Sequence, residues 1–369
     1  MNITKVLVTL LGLSVAAFIF SGCQSNTSNA QTPQTNDPAI TTEAQAVPEA
    51  VKPDNDWKYD SPENHGMSSE ILASFHNALE EAKIYAVVTV KDGYIVDEYY
   101  QEGYNSASLF RLNSCTKSFT SALVGIAIDQ GLIANVDVLI SEYFPQIKQG
   151  GSAYWQQINI WHLLTHSSGI AVGDANFREW YTSDNWVDFT LNSTVTNPPG
   201  STFNYTTAGT HLLAAILQEA TGRTLDDYGQ QYLFEPLGMD SVSWREDPQG
   251  ITDGGNGISM NVYDMAKFGQ LFLNGGSWNG QQIIPQAWVD ESTSVQFAKT
   301  GRPSTYGYQW WIRPFGAKNY NTYLAQGHGG QVIFVVPELN LVSVFTSNYQ
   351  SDSGAPFPYF ANYVLAACR

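Results

Sequence analysis

Strand-forming segments stand at the two ends of the folded part of this chain, and helix-forming segments fill its middle. Near the start, residues 85–90 and 94–100 are β-rich runs joined through Lys91-Asp92-Gly93. Asp-Gly between two such runs predicts a hairpin. Near the end, residues 306–313, 322–326, 332–336 and 341–347 alternate or run apolar as strands. Between them, residues 114–130, 160–165, 208–221, 263–273 and 285–292 carry helical patterns, the first stopped by Gly131 and the third by Gly222. Residues 68–83 predict a helix capped by Ser68 or Ser69, and 357–367 predict a closing helix. The expected fold is therefore α+β, an α/β sandwich lobe with a helical lobe. Strands from both ends form one antiparallel sheet flanked by the terminal helices. The middle, about residues 130–290, forms the helical lobe, and a site would lie in the groove between them.

The first 55 residues read differently. Lys5 is followed by an almost wholly apolar run over 6–20 and then by Ser21-Gly22-Cys23. A run this short that ends in small residues predicts a signal peptide over 1–22 rather than a spanning helix. Small residues before Cys23 resemble a bacterial lipoprotein signal, with Phe20 where an aliphatic residue is usual. The expectation is a lipid-acylated Cys23 in the bilayer of the cell envelope, since several acyl chains suffice for stable anchoring. Residues 23–55 are rich in Thr, Asn, Gln, Ala and Pro without hydrophobic period, which predicts a disordered tether. The folded domain then covers 56–369.

Formal charge is −17. So acidic a chain is a poor partner for nucleic acid, which needs Lys and Arg against phosphate. Cys115 and Cys368 could pair in an oxidising compartment, but a buried, unpaired Cys115 is the simpler reading.

Three short elements carry chemistry. Ser114-Cys115-Thr116-Lys117 places a hydroxyl and an amine three residues apart, on one helical face. A serine is a weak nucleophile until a neighbour takes its proton, and a buried lysine can do so. Lys117 lies inside an apolar run, SFTSALVGIAI, which is no solvated face. Phe203-Asn204-Tyr205-Thr206-Thr207 follows Pro198-Pro199-Gly200 and brings Tyr205 to the start of a helix, where a phenol near a cation can act as base. Gly327-His328-Gly329-Gly330-Gln331 leads into a strand, and its glycines permit a substrate backbone to approach closely. His162 and His166 have the i, i+4 spacing of a metal pair. They lack a Glu beside His162 and a third ligand, so no metal or cofactor is expected. No G-x-S-x-G occurs.

In this order and spacing the three elements resemble the penicillin-binding-protein-like serine hydrolases, above all the class C β-lactamases and their relatives. These relatives are β-lactamase-fold esterases, D-alanyl-D-alanine peptidases and 6-aminohexanoate-dimer hydrolase. The resemblance covers about residues 60–365, including Arg111 to Gly125 and Leu163 to Gly169. It implies that Ser114 is the acylated nucleophile, that Lys117 and Tyr205 share the proton work, and that His328, Gly329 and Gly330 form the third motif. It also implies an oxyanion donor on that strand near Gln331, and it points to Tyr181 as a substrate contact, since a tyrosine in this region serves the amide-hydrolysing relatives. Two departures stand out. Thr207 replaces the usual Asn of the second motif, and His328-Gly329 replaces the Lys and hydroxyl that hold the carboxylate of β-lactams. Both pull the expected activity toward esters or amides of small, less anionic molecules, hydrolysed by a monomer. The alternatives are a D-alanyl-D-alanine carboxypeptidase or β-lactamase, and an inactive binding lipoprotein.

Overall fold

The computed structural model describes residues 57–149, 152–173, 176–350 and 352–369. The expected leader, Cys23 and the tether up to residue 55 lie outside the described residues.

Among the described residues, one large sheet contains eight strands. They are β1 (Lys58–Tyr59), β2 (Ile84–Lys91), β3 (Tyr94–Tyr100), β4 (Thr305–Tyr306), β5 (Trp311–Phe315), β6 (Tyr320–Gly327), β7 (Gln331–Val336) and β8 (Leu341–Ser347). Their spatial order is β1-β3-β2-β8-β7-β6-β5-β4. The ladder is antiparallel except for β1, which runs parallel to β3. The two ends of the chain meet where β2 pairs with β8, with Val88 opposite Val344 and Val90 opposite Val342. The α+β sheet expected from the sequence is therefore the one present.

Strand β7 explains why a sheet strand can read as an unbroken apolar run: all six of its residues are buried. Such a strand is covered on both faces. Val332, Phe334 and Val336 face one core, shared with Leu72, Phe75 and Leu79 of helix α1 (Ser69–Leu79) and with Phe360 and Val364 near the C-terminus. Ile333 and Val335 face the other core, shared with helices α2 (Thr116–Asp129), α3 (Thr207–Thr221) and α4 (Val262–Leu273). Helix α4 lies so close to the sheet that a Cβ on Gly269 would meet Val342 at 2.6 Å and Ile333 at 2.9 Å. All residues of α2 except its last two are buried, so the helix that carries Lys117 runs through the protein's interior.

Two elements differ from the sequence expectation. Residues 306–313 do not form one strand. Gly307 to Trp310 break it into β4 and β5, and Gln309 takes a positive φ of 64°. The reason is tertiary. Gln309 turns inward and its amide donates to the carbonyls of Leu163 and Leu164 at 3.0 and 2.9 Å, while its oxygen accepts from Thr210 at 3.0 Å. The closing helix is also interrupted, with a π-turn over Phe360–Val364 between Pro356–Tyr359 and Leu365–Ala367. There the Phe360 ring stacks on Phe334, with centroids 3.9 Å apart. Replacing fully buried Phe334 by Ala should destabilise the protein by about 3–5 kcal/mol in urea denaturation; a loss below about 1 kcal/mol would contradict this account of the sheet–helix core.

Candidate active site

Ser114 lies in a single 3-10 turn, Asn113–Cys115, that runs directly into α2. Asn113 has φ 50°, a left-handed value that few residues other than glycine adopt. Asparagine tolerates it better than most. Its side chain is used as well: Nδ2 donates to the carbonyl of His328 at 2.8 Å. The turn that presents Ser114 is thereby tied to the end of strand β6.

Lys117, one helical turn on, is fully buried. Its Nζ donates to Ser114 Oγ at 3.0 Å, to Thr207 Oγ1 at 3.1 Å and to the carbonyl of Gly255 at 2.9 Å. These acceptors come from three different parts of the chain: the nucleophile's own turn, the start of α3, and a glycine-rich loop. Thr207 is shorter than the Asn usual at that place, yet its hydroxyl reaches the lysine directly.

Tyr205 precedes α3 by two residues, and Thr206 caps that helix. The Lys117 amine stands 5.1 Å from the centre of the Tyr205 ring. The ring stacks on Trp311 at 5.8 Å and lies 4.4 Å from the ring of His166. Burial, and then the nearby Lys117, hold His166 well below the ordinary imidazole value, so it is neutral. His166 Nδ1 accepts from the Thr206 N–H at 3.4 Å. His162, by contrast, closes a capping box with Asn159 at the head of the helix Ile160–Leu164. The two histidines thus serve separate structural ends.

The third motif divides in two. Gly327 presses on the nucleophile's approach: a Cβ there would meet the Leu112 carbonyl at 2.1 Å. The His328 side chain is exposed while its carbonyl holds Asn113. Gly329 and Gly330 have positive φ, and both their carbonyls accept from Ser347 Oγ at 2.8 Å. Gln331 sits behind them. Its amide donates to the Ser347 carbonyl at 2.6 Å, and its own carbonyl accepts from Cys115 Sγ at 3.3 Å. The turn that bears Ser114 thus touches the backbone of Gly327 and His328 through Leu112 and Asn113, and that of Gln331 through Cys115.

One group beside the nucleophile is missing from the sequence reading. Ser114 Oγ donates to Asn256 Oδ1 at 3.1 Å. Asn256 sits in the loop Gly254-Gly255-Asn256-Gly257, threaded between α2 and α3 so tightly that a Cβ on Gly255 would meet Thr207 Cγ2 at 2.5 Å. Buried Asp253 holds this loop, its Oδ1 accepting from the N–H groups of Gly255 and Asn256 at 3.1 and 3.0 Å. Arg245 pairs with the other oxygen of Asp253 and also donates to the Tyr181 hydroxyl. Tyr181 is thus linked to the nucleophile through Arg245, Asp253 and Asn256. The one local signal for all this was the run of glycines after an aspartate.

Cys115 and Cys368 are free thiols. Burial pushes the Cys115 thiol far up, so it stays protonated beside Ser114 and is no rival nucleophile. Burial also pushes Cys368 up to about 11.

The beta-lactamase family model matches residues 75–363. The chain belongs to the beta-lactamase family. It is 25% identical over 303 residues to the 6-aminohexanoate-dimer hydrolase of Paenarthrobacter ureafaciens, a match covering 75% of this chain and 76% of that one. In three dimensions it resembles a penicillin-binding protein homologue from Pyrococcus abyssi, with a TM-score of 0.66, 19% identity, and 81% and 78% of the two chains covered. It also resembles a class C beta lactamase from Rhodobacter sphaeroides, with a TM-score of 0.63, 18% identity, and 81% and 99% covered. These two likenesses speak for the fold. Membership in the beta-lactamase family makes the protein a serine hydrolase, and Ser114, Lys117 and Tyr205 lie together in it. Gly327→Ala should lower kcat on any ester substrate by about 100-fold, because its methyl must displace the Leu112 carbonyl and with it the turn bearing Ser114, and small misplacements of reacting groups have such effects. Assaying the folded variant checks this, and a rate within threefold of wild type would refute it.

Proposed function

We propose that this beta-lactamase-family enzyme cleaves small ester or amide substrates through an acyl-enzyme on Ser114. The observation that carries the proposal is the 3.0 Å contact from the buried Lys117 amine to Ser114 Oγ, under the Tyr205 ring. With Lys117 Nζ donating three hydrogen bonds as an ammonium, Tyr205, its phenol acidified by that neighbouring cation and acting as phenolate, takes the hydroxyl proton as Oγ attacks the substrate carbonyl. The carbonyl oxygen becomes an oxyanion, held by the Ser114 N–H at the head of α2 and by a backbone N–H of the third-motif strand near Gln331. The tetrahedral intermediate collapses, the leaving alcohol or amine receives the proton, and an ester to Ser114 remains. Water, deprotonated by the same pair, then attacks that ester and releases the acid.

At rest, Ser114 donates to the Asn256 amide oxygen, which cannot carry a proton away. Attack requires the hydroxyl to turn from Asn256 toward the Lys117–Tyr205 pair. Without a lysine in its third motif, the enzyme lacks one usual hold on a β-lactam carboxylate, which favours esters and amides over β-lactams. We also infer a monomer held to the envelope membrane through acylated Cys23. Among the described residues, no helix is long and apolar enough to cross a membrane.

Ser114→Ala should abolish hydrolysis of p-nitrophenyl esters while leaving the urea unfolding curve in place. Intact-protein mass spectrometry with a panel of esters, amides, nitrocefin and a D-alanyl-D-alanine peptide should show an adduct confined to Ser114. Wild-type turnover by the Ala variant would end the proposal, and an adduct formed by nitrocefin alone would replace it with a β-lactamase. For the anchor, Cys23→Ala should move the protein from the membrane fraction to the soluble fraction of the expressing cells; an unchanged distribution would exclude lipidation there.

A further inference from the structure

Arg111 and Arg245 stand side by side in a chain that has only 17 Lys and Arg against 34 Asp and Glu. Both are partly exposed. Arg111 pairs with Ser259 across a short ladder, and Ser259 pairs on its other side with Ser243, two residues before Arg245. Arg245 donates to the Tyr181 hydroxyl oxygen, which leaves the phenol O–H free to donate. The cluster is also one negative charge short. Asp253 pairs with Arg245, and no carboxylate pairs with Arg111 among the described residues. Arg245 Nε is buried and without a partner. Burial, and then repulsion from Arg245, hold the Arg111 guanidinium below its ordinary value. It remains a cation at neutral pH all the same.

The cluster adjoins the chemistry. Arg111 precedes Ser114 by three residues, a span of at most about 11 Å even when extended. Asp253 bridges Arg245 to the loop whose Asn256 holds Ser114 Oγ. On the far side, the Tyr181 ring stacks on Phe177 and packs against Trp186, which gives the cluster an apolar wall.

We propose that Arg111, Arg245 and Tyr181 form an anion subsite that receives a carboxylate of the substrate, set a few atoms from the carbonyl that Ser114 attacks. A carboxylate accepts the Arg111 guanidinium fork bidentately and can accept a hydrogen bond from the Tyr181 O–H, whose oxygen Arg245 already uses. The remainder of this acidic protein repels such a substrate, but that field is screened beyond about 8 Å at physiological salt, and local cations then decide. The substrate class is thus an ester or amide of an acidic molecule, its acid group recognised here instead of at a third-motif lysine. The proposal rests on the serine hydrolase reading of the same cleft.

The test compares two matched pairs of esters. Mono-p-nitrophenyl glutarate against p-nitrophenyl pentanoate puts the acid in the acyl half. 3-Acetoxybenzoate against phenyl acetate puts it in the leaving half. Wild type should prefer the acid in at least one pair by tenfold or more in kcat/KM. Arg111→Met should shrink that acid-over-neutral ratio by about tenfold, through KM, and Arg111→Lys should recover part of it. No wild-type preference in either pair would overturn the subsite, as would an Arg111→Met variant, folded by urea denaturation, that lowers acid and neutral esters equally. Failure to cleave any of the four esters would instead bring down the ester-hydrolase reading, and the subsite with it.

Discussion

A single buried amine, Lys117 Nζ, joins the parts of this cleft. Burying a polar nitrogen in the interior is costly unless it is hydrogen-bonded. The fold answers with acceptors from three directions: Ser114, Thr207 and the Gly255 carbonyl. Each requirement then passes outward. The Gly255 carbonyl must lie between α2 and α3, so residues 254 and 255 must lack side chains. Their loop must be held, so Asp253 is buried beneath it and Arg245 beneath Asp253. Thr207 must stand at a helix start, so Thr206 caps α3 and fixes Tyr205 just outside it. The placement of the nucleophile, the phenol and the amide follows from satisfying one nitrogen.

Much of this was legible in the amino-acid order, and the reason is local. The hairpin announced itself through Asp92-Gly93, and residues 341–347 form a strand with those same bounds because every side chain there is buried. Ser114 and Lys117 share a helical face by geometry that needs no partner. Tyr205 and the Gly327–Gln331 segment were found as motifs, though not the division of labour within the latter. What stayed hidden depends on contacts across the fold. Gln309 breaks an otherwise good strand because two carbonyls of the helix Ile160–Leu164 and a hydroxyl of α3 await it. Asn256 is 142 residues from Ser114, and neither its type nor its spacing says that it will touch a hydroxyl. Arg111 lay inside a recognised motif yet read only as a neighbour of the nucleophile. Its partner Arg245 is far away in sequence, and charge alone does not reveal pairing.

The two sides of the cleft are built from different materials. On the sheet side, β6 turns into β7 through His328, Gly329 and Gly330, all held by Ser347 or by Asn113. On the helical side stand aromatic rings and the arginine pair, joined by stacking and by a few side-chain hydrogen bonds. Recognition by rings and long cationic side chains tolerates change better than a backbone turn does, because side chains can be exchanged one at a time.

The short turn between β6 and β7 has an evolutionary meaning. Gly327 pairs with Gln331 as the last rung of the ladder, leaving three residues to reverse the chain. An insertion there would displace the His328, Gly329 and Gly330 carbonyls that hold Asn113 and Ser347, and with them the turn that presents Ser114. This wall of the cleft is effectively frozen. New substrates must be accommodated from the opposite bank, around Tyr181, Trp186 and Arg111. Lineages carrying this short turn would then diverge in what they accept while keeping how they cut.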